Sequence, residues 1–202
     1  MTRDLISYVR ERLFVPKIGA VWLLLSAMLM ISGAQVLPSP WWAPAIAALG
    51  IVSFRLMDDL ADRKHDIEMH PERCLAQTQH LPMFRIVAVA LVVLTTIITV
   101  LGLGFYRGAG FLGLAGALFF VGRAYGLGAG RRKIVVLTVL LKYPAMVLLV
   151  AADPLSAKTL VMSAVAYAIP LADEFTGQRT SFHLSASVLA LSAMANWQGI
   201  LI

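Results

Sequence analysis

Residues 42–66 read WAPAIAALGIVSFRLMDDLADRKHD, and this stretch decides how the rest of the chain is interpreted. It begins as an apolar segment and ends with four aspartates in nine residues, which are Asp58, Asp59, Asp62 and Asp66. A membrane-spanning helix that begins near Trp42 needs about 20 residues to cross the hydrocarbon. Asp58 and Asp59 are therefore expected at the rim of a membrane, where ionisable side chains are costly and usually serve a function.

The chain as a whole is strongly apolar. Of its 202 residues, 59% are hydrophobic and 14% are charged, and the mean hydropathy is +0.81. Soluble domains are about half apolar and about a quarter charged. Since no two-residue alternation suggests a barrel, we expect an all-α, polytopic transmembrane bundle. Residues 1–202 form one transmembrane domain in this interpretation, with 1–17 as an amphipathic cytoplasmic lead-in. The single cysteine, Cys74, excludes an internal disulfide.

About seven membrane spans are predicted from the apolar segments. They are residues 18–36, 42–60, 84–103, 109–128, 134–152, 158–173 and 183–202. The sequences PSPWWAP, YRGAG, GAGRRK and ADPLSAK are typical of turns and are expected to separate successive spans.

The distribution of basic residues predicts the orientation of these spans. Arginine and lysine gather on one side, whereas only Arg107 and Lys158 fall on the other. Because cytoplasmic loops carry the excess of basic residues, the N-terminus and the loops after spans two, four and six are expected in the cytoplasm. We therefore expect a multi-pass protein of a bacterial cell membrane. The net charge of +6 then needs no nucleic-acid partner.

The acidic residues after the second span are spaced for a cation site. Asp58, Asp62 and Asp66 are four residues apart and share one face of a helix, where like charges repel. Mg²⁺ binds such carboxylates together with the phosphate oxygens of a substrate. Arg63, Lys64 and Arg73 lie nearby and would bind the phosphate groups. The alternative is a solvated loop in which these basic residues balance the acids.

Two further signals point to the same membrane face. Asp173 and Glu174 end the sixth span, which runs in the same direction as the second, and they are expected to hold a second metal ion. Their alternative role is ordinary interface charge. Lys142 lies inside the fifth span, in LLKYPAM. An intramembrane lysine indicates a functional site by default, here diphosphate binding, unless its side chain snorkels to the interface.

The motif DDLADRKHD resembles the first aspartate-rich motif of the UbiA superfamily of intramembrane prenyltransferases, N/D-D-x-x-D-x-x-x-D. It falls at the cytoplasmic end of the second span, as in that family. The continuation HPERCLAQ resembles the family's next stretch, with Pro71 and Arg73 matching and Cys74 in place of a second proline. The opening SYVRERLFVPK also looks like the start of some members.

The resemblance implies a helical bundle with a central cavity open to lipid, and a Mg²⁺-dependent reaction of an isoprenyl diphosphate. Ionisation gives an allylic cation, which an aromatic or other acceptor captures. The first motif and Arg73 would be catalytic, with the metal on Asp58, Asp59, Asp62 and Asp66 and on the second acidic site. Tyr125 and Arg131 resemble a tyrosine and basic pair that follows the fourth helix. The expected substrate-binding residues are thus Lys64, Tyr125, Arg131, Lys142, Asp173 and Glu174.

Two departures from the family pattern keep other functions open. Gly177 stands four residues after Asp173, where the family commonly has a second aspartate, and the family commonly has nine spans. The alternatives are a terpene cyclase of the same type and a non-catalytic relative that binds prenyl diphosphates or assists assembly. A homo-oligomer or a partner subunit would complete the cavity wall.

Two other classes of membrane protein fit less well. A CDP-alcohol phosphotransferase would have glycine where Arg63 follows Asp62. An ion transporter would place its carboxylates near the middle of the membrane.

Overall fold

The computed structural model describes residues 2–33, 35–124 and 137–176, without the side chains of 122–124 and 173–176. Within these residues the chain is helical and has no strand, which confirms the all-α prediction. The helices are α1 (Thr2–Arg12), α2 (Pro16–Gly33), α3 (Trp42–Ala61), α4 (Arg63–Met69), α5 (Cys74–Gln77), α6 (Leu81–Leu103), α7 (Phe105–Ala124), α8 (Lys142–Val150) and α9 (Ala157–Thr176).

The long helices pack side by side and run alternately up and down. A Cβ atom on Gly102, near the end of α6, would lie 2.4 Å from the ring of Trp42 at the start of α3. At the other end of this pair, Leu56 of α3 and Phe84 of α6 are buried together. The loop after α8 is fixed to the end of α2 by a hydrogen bond of 2.9 Å from Ala152 N to Ser32 O. These contacts bring the C-terminal turns of α3 to the same end of the bundle as the start of α6.

The helix boundaries agree with most of the predicted spans. The helices α2, α3, α6 and α9 begin and end within three residues of the first, second, third and sixth predicted segments. Two of the helices, α2 and α6, are long and apolar enough to cross a membrane. The helix α3, of 20 residues, carries Arg55, Asp58 and Asp59 in its last two turns. The seventh predicted segment lies outside the described residues, so the count of seven spans stays a prediction.

One predicted turn was wrong. YRGAG, residues 106–110, lies inside α7, and the chain instead turns at Gly104, whose φ is +92°. Glycine adopts this left-handed conformation without strain. The glycines of YRGAG allow close packing: a Cβ on Gly108 would lie 2.2 Å from the side chain of Val100, and one on Gly110 would lie 2.5 Å from Leu149. They bring α7 against α6 and α8, as small residues do in membrane bundles.

Within the described part of the chain, two groups of buried side chains hold the helices together. The larger group joins α2, α3, α7, α8 and α9, and its fully buried members include Leu29, Ala47 and Val147. The smaller group consists of Tyr8, Leu56, Leu75, Phe84 and Ala88. It fixes the short helices α1 and α5 onto the ends of α3 and α6, and the acidic residues lie beside it.

The outer face of α6 is apolar and exposed. Ile86, Val89, Val93, Ile97 and Leu101 follow each other at intervals of three or four residues, and each is about half exposed or more. They form a continuous stripe along most of the helix. Monomeric soluble proteins rarely expose an apolar surface of this extent. The stripe indicates that α6 faces an apolar environment.

Candidate functional site

The acidic motif lies where α3 ends and α4 begins, at the end of the bundle that also carries α1 and α5. We call this the acidic end. The backbone stays nearly helical across the junction, because Asp62 N donates to Asp58 O at 2.8 Å and Asp66 N donates to Asp62 O at 2.9 Å. The three aspartates therefore occupy successive helical turns, as their spacing predicted.

Asp58 forms an ion pair with Lys142 between α3 and α8. The side chain of Lys142 is only 4% exposed and that of Asp58 is 23% exposed. The Lys142 ammonium also lies 5.4 Å from the centre of the Tyr143 ring, within the range of a cation–π contact. An unpaired ammonium at this depth would be costly, so the pair compensates the burial of both charges. Lys142 thus contacts the first aspartate of the motif.

Asp59 points to the other side of α3 and is buried against α1. One of its oxygens, Oδ2, accepts hydrogen bonds from Tyr8 Oη at 2.9 Å and from Arg12 Nε at 3.0 Å. Arg12 Nη2 donates to Oδ1, which makes the arginine contact bidentate. Arg55 Nε lies 3.4 Å from Oδ2. Hydrogen bonds from Tyr8 and Arg12 of α1, together with the charge of Arg55 on α3, therefore surround this carboxylate.

The phenol of Tyr8 stays protonated in this position. Burial, and then the neighbouring Asp59 carboxylate, raise the pKa of Tyr8 well above its ordinary value. Tyr8 also packs edge-on against Phe84, with the ring centres 5.7 Å apart. It is therefore a fixed hydrogen-bond donor that ties α1 to α3 and α6.

Asp66 is buried and forms an ion pair with Arg73, which precedes α5. The loop is held a second time by Arg63, whose Nε donates to Leu75 O at 2.9 Å. Asp62 and Lys64 are exposed. A narrow polar crevice, too tight to hold a water molecule, lies between α1 and the motif, and Tyr8, Arg12, Asp59, Asp66 and Arg73 line it.

The motif therefore carries its carboxylates in two directions. Asp58 faces α8, whereas Asp59 and Asp66 line the crevice beneath α1. Among residues 2–33, 35–124 and 137–176, no three histidine, cysteine, aspartate or glutamate side chains converge as a metal-binding group. The donor chemistry nevertheless fits Mg²⁺, which typically takes one or two carboxylates from the protein and the remaining oxygens from phosphate and water.

The remaining predicted site residues fall largely outside the described part of the chain. Tyr125 and Arg131 lie outside it. Asp173 and Glu174 belong to the last turn of α9, but their side chains are not among those described. Because α9 runs antiparallel to α8, its last turn points toward the acidic end. The association of these residues with the first motif stays a prediction.

Sequence reasoning did not identify the part played by α1. Tyr8 and Arg12 are four residues apart and lie on the same face of the helix. This polar pair beside apolar neighbours was the one feature of the local sequence that indicated a contact of α1 with the bundle. What the sequence could not provide is their partner, since Asp59 is 51 residues from Tyr8 along the chain.

An apolar crevice adjoins the acidic end on the side of α8. Side chains of α2, α8 and α9 line it, among them Leu25, Met28, Tyr143 and Pro170, and its free volume is about 10 Å³. Pockets for drug-sized ligands are larger, at about 300–1,000 Å³. The crevice would have to widen to admit a prenyl chain.

Comparison with known proteins identifies no relative: no family model, no curated protein and no solved structure matches the chain.

Proposed function

We propose that the chain is a multi-pass membrane prenyltransferase of the UbiA type, with about seven spans and a cytoplasmic acidic end. It acts on an isoprenyl diphosphate and transfers the prenyl group to an aromatic or other acceptor. The observation that carries the proposal is the ion pair between Asp58 and Lys142. It joins the first aspartate of the motif to a buried lysine from another helix at the end of an apolar bundle.

The membrane location is supported by the surface of the bundle. The apolar stripe on α6 suits contact with lipid. At the end opposite the acidic residues, Trp41, Phe105 and Tyr106 are 71–89% exposed. Aromatic residues are enriched at membrane–water interfaces, where their rings occupy the headgroup region. Arg107 belongs to the same end, where it donates to the carbonyl oxygens of Val150 and Ala151 at 3.2 and 2.9 Å.

The charges at the acidic end suit a diphosphate that arrives with a cation. Asp62 together with Asp58 or Asp66 would hold Mg²⁺, which when bound would neutralise charge on the diphosphate leaving group. Lys142 and Arg73, released from their aspartates, would donate charge-assisted hydrogen bonds to phosphate oxygens. Without ligand, the ion pairs neutralise the aspartates and the basic side chains. Binding of Mg²⁺ and the diphosphate would replace each ion pair with contacts to the ligand.

Apolar surroundings are needed once the carbon–oxygen bond breaks. The diphosphate leaves with the bonding electrons and the prenyl group becomes an allylic cation. Leu25, Met28 and Tyr143 of the apolar crevice would exclude water from this cation, and the tyrosine ring face can stabilise its charge. The acceptor then forms the new bond and loses a proton.

A non-catalytic prenyl-diphosphate binder is the second candidate. It is favoured by the fact that Asp58, Asp59 and Asp66 are each compensated by a basic side chain of the same chain. Such pairs also serve purely structural roles. A terpene cyclase remains a close variant of the first proposal, because it begins with the same ionisation.

One assay separates these functions. The protein in nanodiscs is incubated with geranyl, farnesyl or geranylgeranyl diphosphate and Mg²⁺, with and without a panel of phenolic and quinol-type acceptors. Release of diphosphate and prenylated products are both quantified. We expect release that requires an acceptor. Release without an acceptor, together with a cyclic hydrocarbon, would indicate a cyclase, and binding without release would indicate the non-catalytic relative.

A further inference from the structure

The inner face of α1 uses both of its acidic residues. Asp4 accepts a hydrogen bond from Thr78 Oγ1 at 2.7 Å, and Glu11 accepts one from the backbone N–H of Cys74 at 2.9 Å. Arg12 is directed to Asp59 on the same side. The negative charges of α1 are therefore engaged with the bundle.

The outer face of α1 carries basic and large apolar side chains. Arg3, Ile6 and Arg10 are separated by three and four residues, and Phe14 follows four residues later in the turn after the helix. At 100° per residue Arg3, Ile6 and Arg10 fall on the side of the helix opposite Arg12. Arg3 and Arg10 are exposed, and Ile6 and Phe14 are 49% and 81% exposed. This outer face is positively charged with apolar side chains beside the charge.

The C-terminal end of the outer face lies at a defined height on the molecule. Phe14 lies two residues before Pro16, where α2 begins. Among the described helices, α2 is one of two that are long and apolar enough to cross a membrane. A side chain at this point lies where a spanning helix would enter the hydrocarbon. Basic and aromatic residues at that level are typical of helices that lie on a membrane surface.

We propose that the outer face of α1 docks on the anionic phospholipid headgroups of the leaflet that α2 enters. This inference rests on the proposed membrane location. Arg3 and Arg10 contact headgroup phosphates, while Ile6 and Phe14 reach the boundary of the acyl chains. Clusters of basic residues beside a spanning helix recognise anionic lipids in this manner.

The size of the outer face favours lipid over a protein partner. A stable protein interface takes about 20–30 residues from each side. The outer face offers two arginines and two apolar side chains on and just after a helix of 11 residues. Individual phospholipid headgroups match a site of this size, and their negative charge complements the two arginines.

The experiment measures whether α1 lies on the membrane surface in nanodiscs of two lipid compositions. Ser7, exposed on the outer face, is replaced by cysteine in a Cys74→Ser background and labelled with a polarity-sensitive fluorophore. The full chain is placed in nanodiscs of phosphatidylcholine, or of phosphatidylcholine with phosphatidylglycerol. Quenching by neutral acrylamide reports how exposed the label is to water. The charge variant is Arg3→Gln with Arg10→Gln, and the matched control is Arg85→Gln with Lys158→Gln.

We expect phosphatidylglycerol to protect the label and high salt to remove the protection, because salt screens exposed charges. In the charge variant, the ratio of protected to quenched label falls about fivefold for each arginine removed. The matched control keeps the protection. Equal quenching in both nanodiscs, or protection that survives loss of both arginines, would overturn the inference. A chain that does not enter nanodiscs at all would instead refute the proposed membrane location.

Discussion

Replacing Arg12 with glutamine tests how α1 is held on the bundle. The Arg12 guanidinium makes a bidentate contact with Asp59. The side chain of Asp59 is 5% exposed and that of Arg12 is 16% exposed. Removing one partner of a buried ion pair costs about 3–5 kcal/mol. Tyr8 and Arg55 still contact the carboxylate in the variant, and Arg12 is partly exposed. We therefore expect the variant to lower the free energy that holds α1 against the bundle by a smaller amount, about 2–3 kcal/mol.

Hydrogen–deuterium exchange measures directly the free energy of opening α1 away from the bundle. A loss of 2–3 kcal/mol corresponds to exchange of the α1 amides that is about 30–150 times faster, if they exchange through local opening. The matched control is Arg10→Gln in a neutral detergent without anionic lipid, which removes the same charge from an exposed position on the same helix. It should change the opening free energy by less than about 0.5 kcal/mol. Equal exchange rates in the two variants would refute the assignment of Arg12 and Asp59 as the contact that fixes α1.

Three further predictions concern the bundle and its loop. Lys142→Met leaves Asp58 without its partner and should lower the free energy of unfolding by about 3–5 kcal/mol in a denaturant titration. The double variant Lys142→Met with Asp58→Leu should recover most of this loss. Equal losses in the single and double variants would contradict the pairing. Gly102→Ala places a Cβ 2.4 Å from the rigid ring of Trp42 and should cost about 1–3 kcal/mol in the same titration, while Gly113→Ala, with open space around it, should be neutral or stabilising. Burial, and then nearby carboxylates, raise the pKa of the Cys74 thiol, so its alkylation at pH 8 should be slower than that of free cysteine; a rate equal to that of free cysteine would refute this.

The helices were predictable because they follow from local sequence. The long apolar segments determine α2, α3, α6 and α9, and the periodicity and composition of each segment suffice to place it within a few residues. The boundary between α6 and α7 was harder, because a glycine-rich stretch is typical both of turns and of close helix packing. Gly104 makes the turn, whereas Gly108 and Gly110 pack.

The partners of the charged residues were not predictable from local sequence. Lys142 was identified as an intramembrane lysine of the fifth span, but its contact with Asp58 joins residues 84 apart. The chain also gave no sign that Asp59 would face α1 and that Asp58 would face α8. Such choices depend on which side of α3 each neighbouring helix covers, and that is a property of the whole packing. The roles of the four aspartates in metal binding stay predictions.

Binding of an isoprenyl diphosphate at the acidic end is the central claim, and thermal stability in detergent tests it most directly. Melting temperatures are compared with farnesyl diphosphate plus Mg²⁺, with farnesyl diphosphate plus EDTA, and with Mg²⁺ alone. Ligand at about 100 times its dissociation constant stabilises the folded state by about 2.7 kcal/mol. The compared variants are Asp62→Asn in the motif and, as control, Glu68→Gln at an exposed acid of α4. The account predicts a stabilisation that requires both ligand and Mg²⁺, that is lost in Asp62→Asn and that is kept in Glu68→Gln. No stabilisation by geranyl, farnesyl or geranylgeranyl diphosphate, or an equal one in Asp62→Asn, would contradict it.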